Sequence, residues 1–176
     1  MGPGSLRFAR RAMRIAESLN IPLVTVIDTP GAELTKDAEE NAMAGEIART
    51  LTTLVNLKVP TVSLILGQGC GGGALAMLPS DRVLAMHDAW MSPLPPEGAS
   101  AIIYRDTEHA PEMMEEQGVG AEAMLKTGVI DEIVAEPENP AELPRRALSA
   151  IEHALWELEK NPARVGREQR FDHYRR

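Results

Sequence analysis

Thr61-Val62-Ser63-Leu64-Ile65-Leu66-Gly67-Gln68-Gly69-Cys70-Gly71-Gly72-Gly73-Ala74-Leu75-Ala76-Met77 is the stretch on which the fold turns. The apolar, partly β-branched run over 61–66 predicts a buried strand, and Ala74-Leu75-Ala76-Met77 predicts the opening of a helix. Five glycines crowd the positions between them. A strand that passes through a glycine turn into a helix leaves bare backbone N–H groups at a positive dipole end. Such groups suit an anion or a developing oxyanion. The candidate site is therefore placed at this turn.

Working outward, the chain alternates helix and strand. Phe8, Ala12, Ile15, Ala16 and Leu19 recur at helical spacing over 6–19, and Asn20 ends that helix. Residues 22–27 predict a strand covered on both faces of a parallel sheet, stopped by Asp28-Thr29-Pro30-Gly31. One long helix is expected from about 38 to 57, then a buried strand over 59–66 and a third strand over 82–86. Pro93-Leu94-Pro95-Pro96-Glu97-Gly98 predicts a rigid turn before a helix starting near Ala99. Short helices are expected around 111–116 and 121–127, a last strand over 130–134, and a terminal helix over 140–160 opened by a proline. Taken alone, this alternation describes one α/β domain of doubly wound layout. Residues 1–5 lack a signal peptide's charge and apolar stretch and read as an expression scar, residues 6–160 as the domain, and 161–176 as a basic, solvated tail.

Composition removes several function classes. The 176 residues, 44% apolar, suffice for a sizeable core. The apolar runs fall short of the roughly 18 residues of a spanning helix, so no membrane segment is expected. A formal charge of −8 argues against a nucleic-acid partner, although Arg164, Arg167, Arg170, Arg175 and Arg176 cluster near the end. A single cysteine permits no internal disulfide, which fits a reducing, cytoplasmic location.

Motif chemistry narrows the turn further. Gly67-x-Gly69-x-x-Gly72 satisfies the dinucleotide fingerprint on paper, with Asp88 as its acidic partner. Only eight residues separate Gly73 from Arg82, however, and a helical crossover needs about a dozen. The turn at Asp28-Thr29-Pro30-Gly31 resembles a nucleotide switch, but the phosphate-binding Gly-x-x-x-x-Gly-Lys-Ser/Thr is missing. No Gly-x-Ser-x-Gly elbow occurs, and Cys70 has no histidine near it in sequence. His87, His109, His153 and His173 lack ligand spacing, so no metal is expected; His87, at a strand end, is the one worth following. What remains is a site of backbone donors.

Four segments together resemble a known family. Asp28-Thr29-Pro30-Gly31-Ala32, Lys58-Val59-Pro60-Thr61-Val62, Gly67 to Ala76, and Pro96-Glu97-Gly98-Ala99-Ser100-Ala101-Ile102 look like the carboxyltransferase component of biotin-dependent acyl-CoA carboxylases. Within it, the resemblance is to the acetyl-CoA carboxylase alpha subunit or equivalent C-terminal half. The resemblance implies a crotonase or ClpP-like superhelix of ββα units, with short strands in two nearly perpendicular sheets and without the family's opening strands. It implies carboxyl transfer from carboxybiotin on a carrier protein to acetyl-CoA or another short acyl-CoA, giving malonyl-CoA for fatty acid synthesis. Paired backbone N–H groups at helix starts hold the two oxyanions in this family. By resemblance Gly72 and Gly73 are the catalytic pair facing the biotin ureido oxygen, with Gly69, Gly71 and Ala74 around them. Gly31 and Ala32 lie near the transferred carboxyl, and Pro96, Glu97 and Gly98 border the same cleft. The implied partners are a beta-type or N-terminal half carrying the acyl-CoA site, a biotin carboxyl carrier domain and acyl-CoA, in a homo- or hetero-oligomer. The family turn after Gly31-Ala32 is often glycine-rich where this chain has Glu33 to Ala38, and Ser usually stands where Pro95 does. A decarboxylase of the same fold and a non-catalytic assembly subunit remain open.

Overall fold

A computed structural model describes residues 1–33 and 35–175. The elements are α1 (Pro3–Leu19), β1 (Leu23–Thr29), α2 (Lys36–Glu40), α3 (Met43–Val55), β2 (Thr61–Cys70), α4 (Gly71–Leu75), β3 (Arg82–Met86), β4 (Trp90–Ser92), α5 (Pro96–Ile103), α6 (Ala110–Gln117), α7 (Ala121–Thr127), β5 (Glu132–Val134), α8 (Leu143–Lys160) and α9 (Arg167–His173). Helix α1 begins three residues before the expected Leu6, and Pro3 is buried within it. Residues 3–5 of the stretch set apart as a scar thus lie in its first turn. Asn20 ends α1 in the left-handed region, as expected. The long helix expected over 38–57 is broken where Ala42 takes φ 61 between α2 and α3. The apolar periodicity carries no sign of that break.

Among the described residues, five strands form one parallel sheet in the order β1-β2-β3-β5, with β4 on β2, in place of the two nearly perpendicular sheets expected. The ten-residue β2 changes partner midway: Val62 to Ile65 pair with β3, and Gln68 to Cys70 pair with β4. Glycines 67 and 69 thus extend the strand rather than forming a loop. The inner face of β1 (Thr25, Ile27, Thr29) is buried, whereas Val24 and Val26 on its other face are 37% and 55% exposed. Coverage on both faces is corrected to coverage on one: the face that carries Val24 and Val26 is open. The main core joins β2 and β3 (Val62, Leu64, Ile65, Val83, Leu84, Met86) to Ala154 and Leu158 of α8.

Two buried ionic clusters bind the helices to this sheet. Glu46 of α3 accepts hydrogen bonds from Arg10 of α1 and from Arg49, with Arg7 close by. The Arg10 hydrogen bond holds its carboxyl below the usual range. The second cluster corrects the solvated reading at Arg170; Arg164, Arg167 and Arg175 are exposed, and Arg176 lies outside the described residues. Arg170 of α9 is 1% exposed; its Nε and Nη2 donate to Asp81 at 2.9 and 2.7 Å. The same guanidinium donates to the carbonyls of Leu54, Val55, Leu57 and Val59 at 2.7–3.1 Å. Carbonyls at the C-terminal end of a helix have no helical donor, and a planar five-donor fork fits them and a carboxylate together. An arginine expected in solvent therefore closes the end of α3 from inside.

Candidate active site

The glycine turn is positioned from both sides. A bulge interrupts the β1–β2 register between Ile27 and Thr29, where the Asp28 carboxylate accepts the Gln68 N–H at 3.1 Å. Gly69 is buried between β1 and β4; a Cβ there would stand 3.1 Å from the Trp90 carbonyl oxygen. Strands carrying side chains at this point would be pushed apart. Gly71 then takes φ +65, a left-handed conformation in which any Cβ is strained, and turns the chain into α4. The far end of this short helix is held as well: Thr25 Oγ1 and Ser63 Oγ each lie 2.9 Å from the Met77 carbonyl oxygen.

Gly72 and Gly73 occupy the first turn of α4. Their N–H groups have no carbonyl one turn earlier in the helix to bond. A Cβ on Gly73 would lie 3.5 Å from the Ala32 nitrogen and 3.7 Å from the Gly31 carbonyl carbon, so the fold brings the β1 exit against the helix start. Gly31 sits at φ +127, its N–H donating to Thr29 Oγ1 at 3.2 Å. A Cβ on Gly72 would approach Ile47 Cδ1 of α3 at 3.0 Å. Ile47 was not singled out from the sequence, since only the fold brings α3 to this turn.

The α5 side approaches through its leading turn. A Cβ on Gly71 would lie 3.7 Å from the Pro93 carbonyl oxygen, and Ser92 Oγ donates to the Leu94 carbonyl at 2.6 Å to shape that turn. Pro96 is buried in the first turn of α5, Glu97 is exposed, and Gly98 abuts Leu94. Ala74 is fully buried in the main core, so its side chain seats α4 and presents nothing to a cleft.

Side-chain chemistry here is sparse. Cys70 is buried, and burial, with the Glu97 charge adding to it, pushes its thiol up. That environment disfavours a thiolate nucleophile. His87 hydrogen-bonds Asp88 at 2.8 Å and lines a crevice with α6 and α7 residues. Among the described residues, no group of three His, Cys, Asp or Glu is placed to hold a metal ion, and no helix is long and apolar enough to cross a membrane. What the turn offers chemically is a pair of fixed backbone donors beside a glycine-lined strand end.

Comparison with known proteins bears on what such a pair would hold. The family described as acetyl co-enzyme A carboxylase carboxyltransferase-like matches residues 1–176. The probable biotin-dependent acyl-coenzyme A carboxylase beta3 subunit of Mycobacterium tuberculosis is 49% identical over 180 residues, covering 100% of this chain and 36% of that protein. The acetyl-coenzyme A carboxylase carboxyl transferase subunit alpha of Thermus thermophilus is 41% identical over 154 residues, covering 87% of this chain and 49% of that one. The chain thus spans between a third and a half of these relatives. The crystal structure of transcarboxylase 12S superposes with a TM-score of 0.71 over 88% of this chain and 31% of that one, at 24% identity. This likeness bears out the crotonase-type fold and replaces the doubly wound layout.

Proposed function

The chain belongs to the acetyl co-enzyme A carboxylase carboxyltransferase-like family, and on that footing we propose that it is the biotin-side half of a carboxyltransferase. It acts on carboxybiotin and a short acyl-CoA, acetyl-CoA first among them, and works in the cytoplasm within a hetero-oligomer. The observation that carries this reading is the first turn of α4, where the Gly72 and Gly73 amides lack helical acceptors and Gly73 abuts the Gly31–Ala32 strand end.

The residues present fit a biotin ureido group. Its oxygen is a compact acceptor that two adjacent N–H donors without helical acceptors would hold, while the α-carbons behind those donors pack on Ile47 at Gly72 and on Met1 and Ala32 at Gly73. Carboxybiotin, when bound, supplies the carboxyl group and leaves negative charge on that oxygen. Gly72 and Gly73 donate to the oxygen as the charge develops; Gly71 aims the donors by turning the chain, and Ala74 and Ile47 keep α4 from shifting. Each such donor is worth about 2.7–4 kcal/mol of transition-state stabilisation. Gly31, Ala32, Pro96, Glu97 and Gly98 wall the region through which the carboxyl passes, and Gly69 lets β4 close against β2. The buried thiol of Cys70 stays protonated and takes no part.

A beta-type or N-terminal half supplies the acyl-CoA site and its own oxyanion donors, and a carrier domain delivers the biotin. That the relatives are named as subunits of carboxylases supports a heteromeric assembly. Reconstitution tests it: the chain alone gives no acyl-CoA carboxylation, and addition of a beta-type half with biotinylated carrier restores carboxybiotin-dependent malonyl-CoA formation. Carboxylation of acetyl-CoA by the chain alone would overturn the proposal.

A further inference from the structure

A cavity of about 460 Å³ lies between α3, the end of α4 and α9, outside the glycine turn. Leu51 and Val55 of α3, Leu75 and Leu78 from α4 and the turn after it, and Phe171 of α9 line it. The volume falls within the range of about 300–1,000 Å³ typical of small-molecule sites, which are mostly apolar with a few placed polar groups. Leu75 and Phe171 stay 44% and 43% exposed, so the apolar wall reaches the mouth.

Of the other polar residues that line it, Arg170 is spent on Asp81 and on backbone carbonyls, and Thr52 and Asn56 donate to carbonyls of α3, which leaves Arg167 as the charged group at the mouth. Its guanidinium lies 5.3 Å from the Phe171 ring centroid and makes no ion pair among the described residues. The neighbouring cation, Arg175, sits 6.0 Å from the same ring but lies 3.8 Å from Asp172. Tyr174 also lines the cavity. An apolar slot with a free guanidinium at its mouth discriminates by charge. A cationic amphiphile is repelled, a neutral one leaves the arginine unused, and an anionic head gains a charge-assisted hydrogen bond.

We propose that this cavity binds an aliphatic carboxylate of medium chain length, with the chain between α3 and α9 and the carboxylate on Arg167. The inference is independent of the carboxyl-transfer reading. Leu75 and Leu78 follow Gly73 by two and five residues, so an occupant would press on the element that carries the paired donors.

Calorimetric titration of the 176-residue chain with decanoate tests this, with decan-1-ol and decyltrimethylammonium as charge controls. Saturable one-to-one decanoate binding is expected, weakened at least tenfold by Arg167→Glu and abolished by Val55→Trp, which fills the slot. Decan-1-ol binding should not respond to Arg167→Glu. Circular dichroism establishes that each variant is folded, and a diazirine-bearing decanoate, should Val55→Trp unfold, must label residues 51–56 or 167–174. No saturable binding, equal affinity for the cationic control, indifference to Arg167→Glu, or labelling elsewhere overturns the proposal. So does a concentration-dependent dimer abolished by Val55→Trp, which would give the slot to a second copy.

Discussion

Removing Arg170 is expected to cost more than any other single change in the tail. Arg170→Met keeps much of the aliphatic stem and deletes the guanidinium. It leaves the buried Asp81 carboxylate with Thr61 N, Thr61 Oγ1 and Gly166 N as its remaining donors, and the carbonyls of Leu54, Val55, Leu57 and Val59 without this one. Breaking a buried ion pair from one side costs about 3–5 kcal/mol, chiefly because the other charge is left uncompensated. For 176 residues at about 2.1 cal/mol/K each, the unfolding entropy is about 0.37 kcal/mol/K, so Tm should fall by about 8–14 °C. Thermal unfolding followed by circular dichroism, with urea titration for the free energy, reads this directly. Asp81→Asn should also destabilise, and the double variant should cost clearly less than the two singles combined. A loss below about 1 kcal/mol for Arg170→Met, or strict additivity in the cycle, would refute the reasoning and return the tail to solvent.

Gly71→Ala meets no clash, since the Pro93 carbonyl oxygen lies 3.7 Å away, but must hold φ +65. The expected loss is about 1–2 kcal/mol, and an unchanged urea midpoint would show that the turn does not need its left-handed geometry. The folded Glu46 pKa lies below its ordinary 4.5, so the stability it contributes is present above the unfolded value and lost as pH falls through the folded one. Urea midpoints from pH 6 to 3 should therefore fall less steeply for Glu46→Gln than for the parent; parallel curves would contradict the Arg10–Glu46 account. His109 works in the opposite sense. Its hydrogen bond to Asp106 raises its pKa above 6.5, so the stability it adds is present below the unfolded value and lost as pH rises through the folded one. Protection of the 104–109 amides, taken relative to their intrinsic base-catalysed exchange, should fall above neutral pH in the parent but not in Asp106→Asn, and equal profiles would remove the clasp.

Local pattern in the sequence was enough to locate the third strand at 82–86 and the passage of β2 into α4, because glycine crowding and apolar runs act over a few residues. It was not enough for contacts made across the chain. Arg170 reads as solvated until its partner 89 residues earlier is known. Strand β4, only three residues long, owes its conformation to pairing with Gln68 to Cys70 and carries no pattern of its own. The two-sided burial expected of β1 failed because β-branched composition records strand propensity rather than which face is covered. At the site, the glycines were legible as backbone donors, whereas Ile47 and Pro93 enter only through folding. Ala74, grouped with the site by its neighbours, serves the core.

The central claim is that the Gly72 and Gly73 amides stabilise charge on the biotin ureido oxygen. It is tested most directly by carboxybiotin-dependent turnover of the chain reconstituted with an acyl-CoA-binding half, comparing the parent with Gly72→Val and Gly73→Val. Crowding at Ile47 or at Ala32 should pull each amide off line. The account predicts a fall of about 10²–10³-fold in turnover for each variant, with circular dichroism and assembly with the partner half preserved. Unchanged turnover in variants that remain folded and assembled would contradict it.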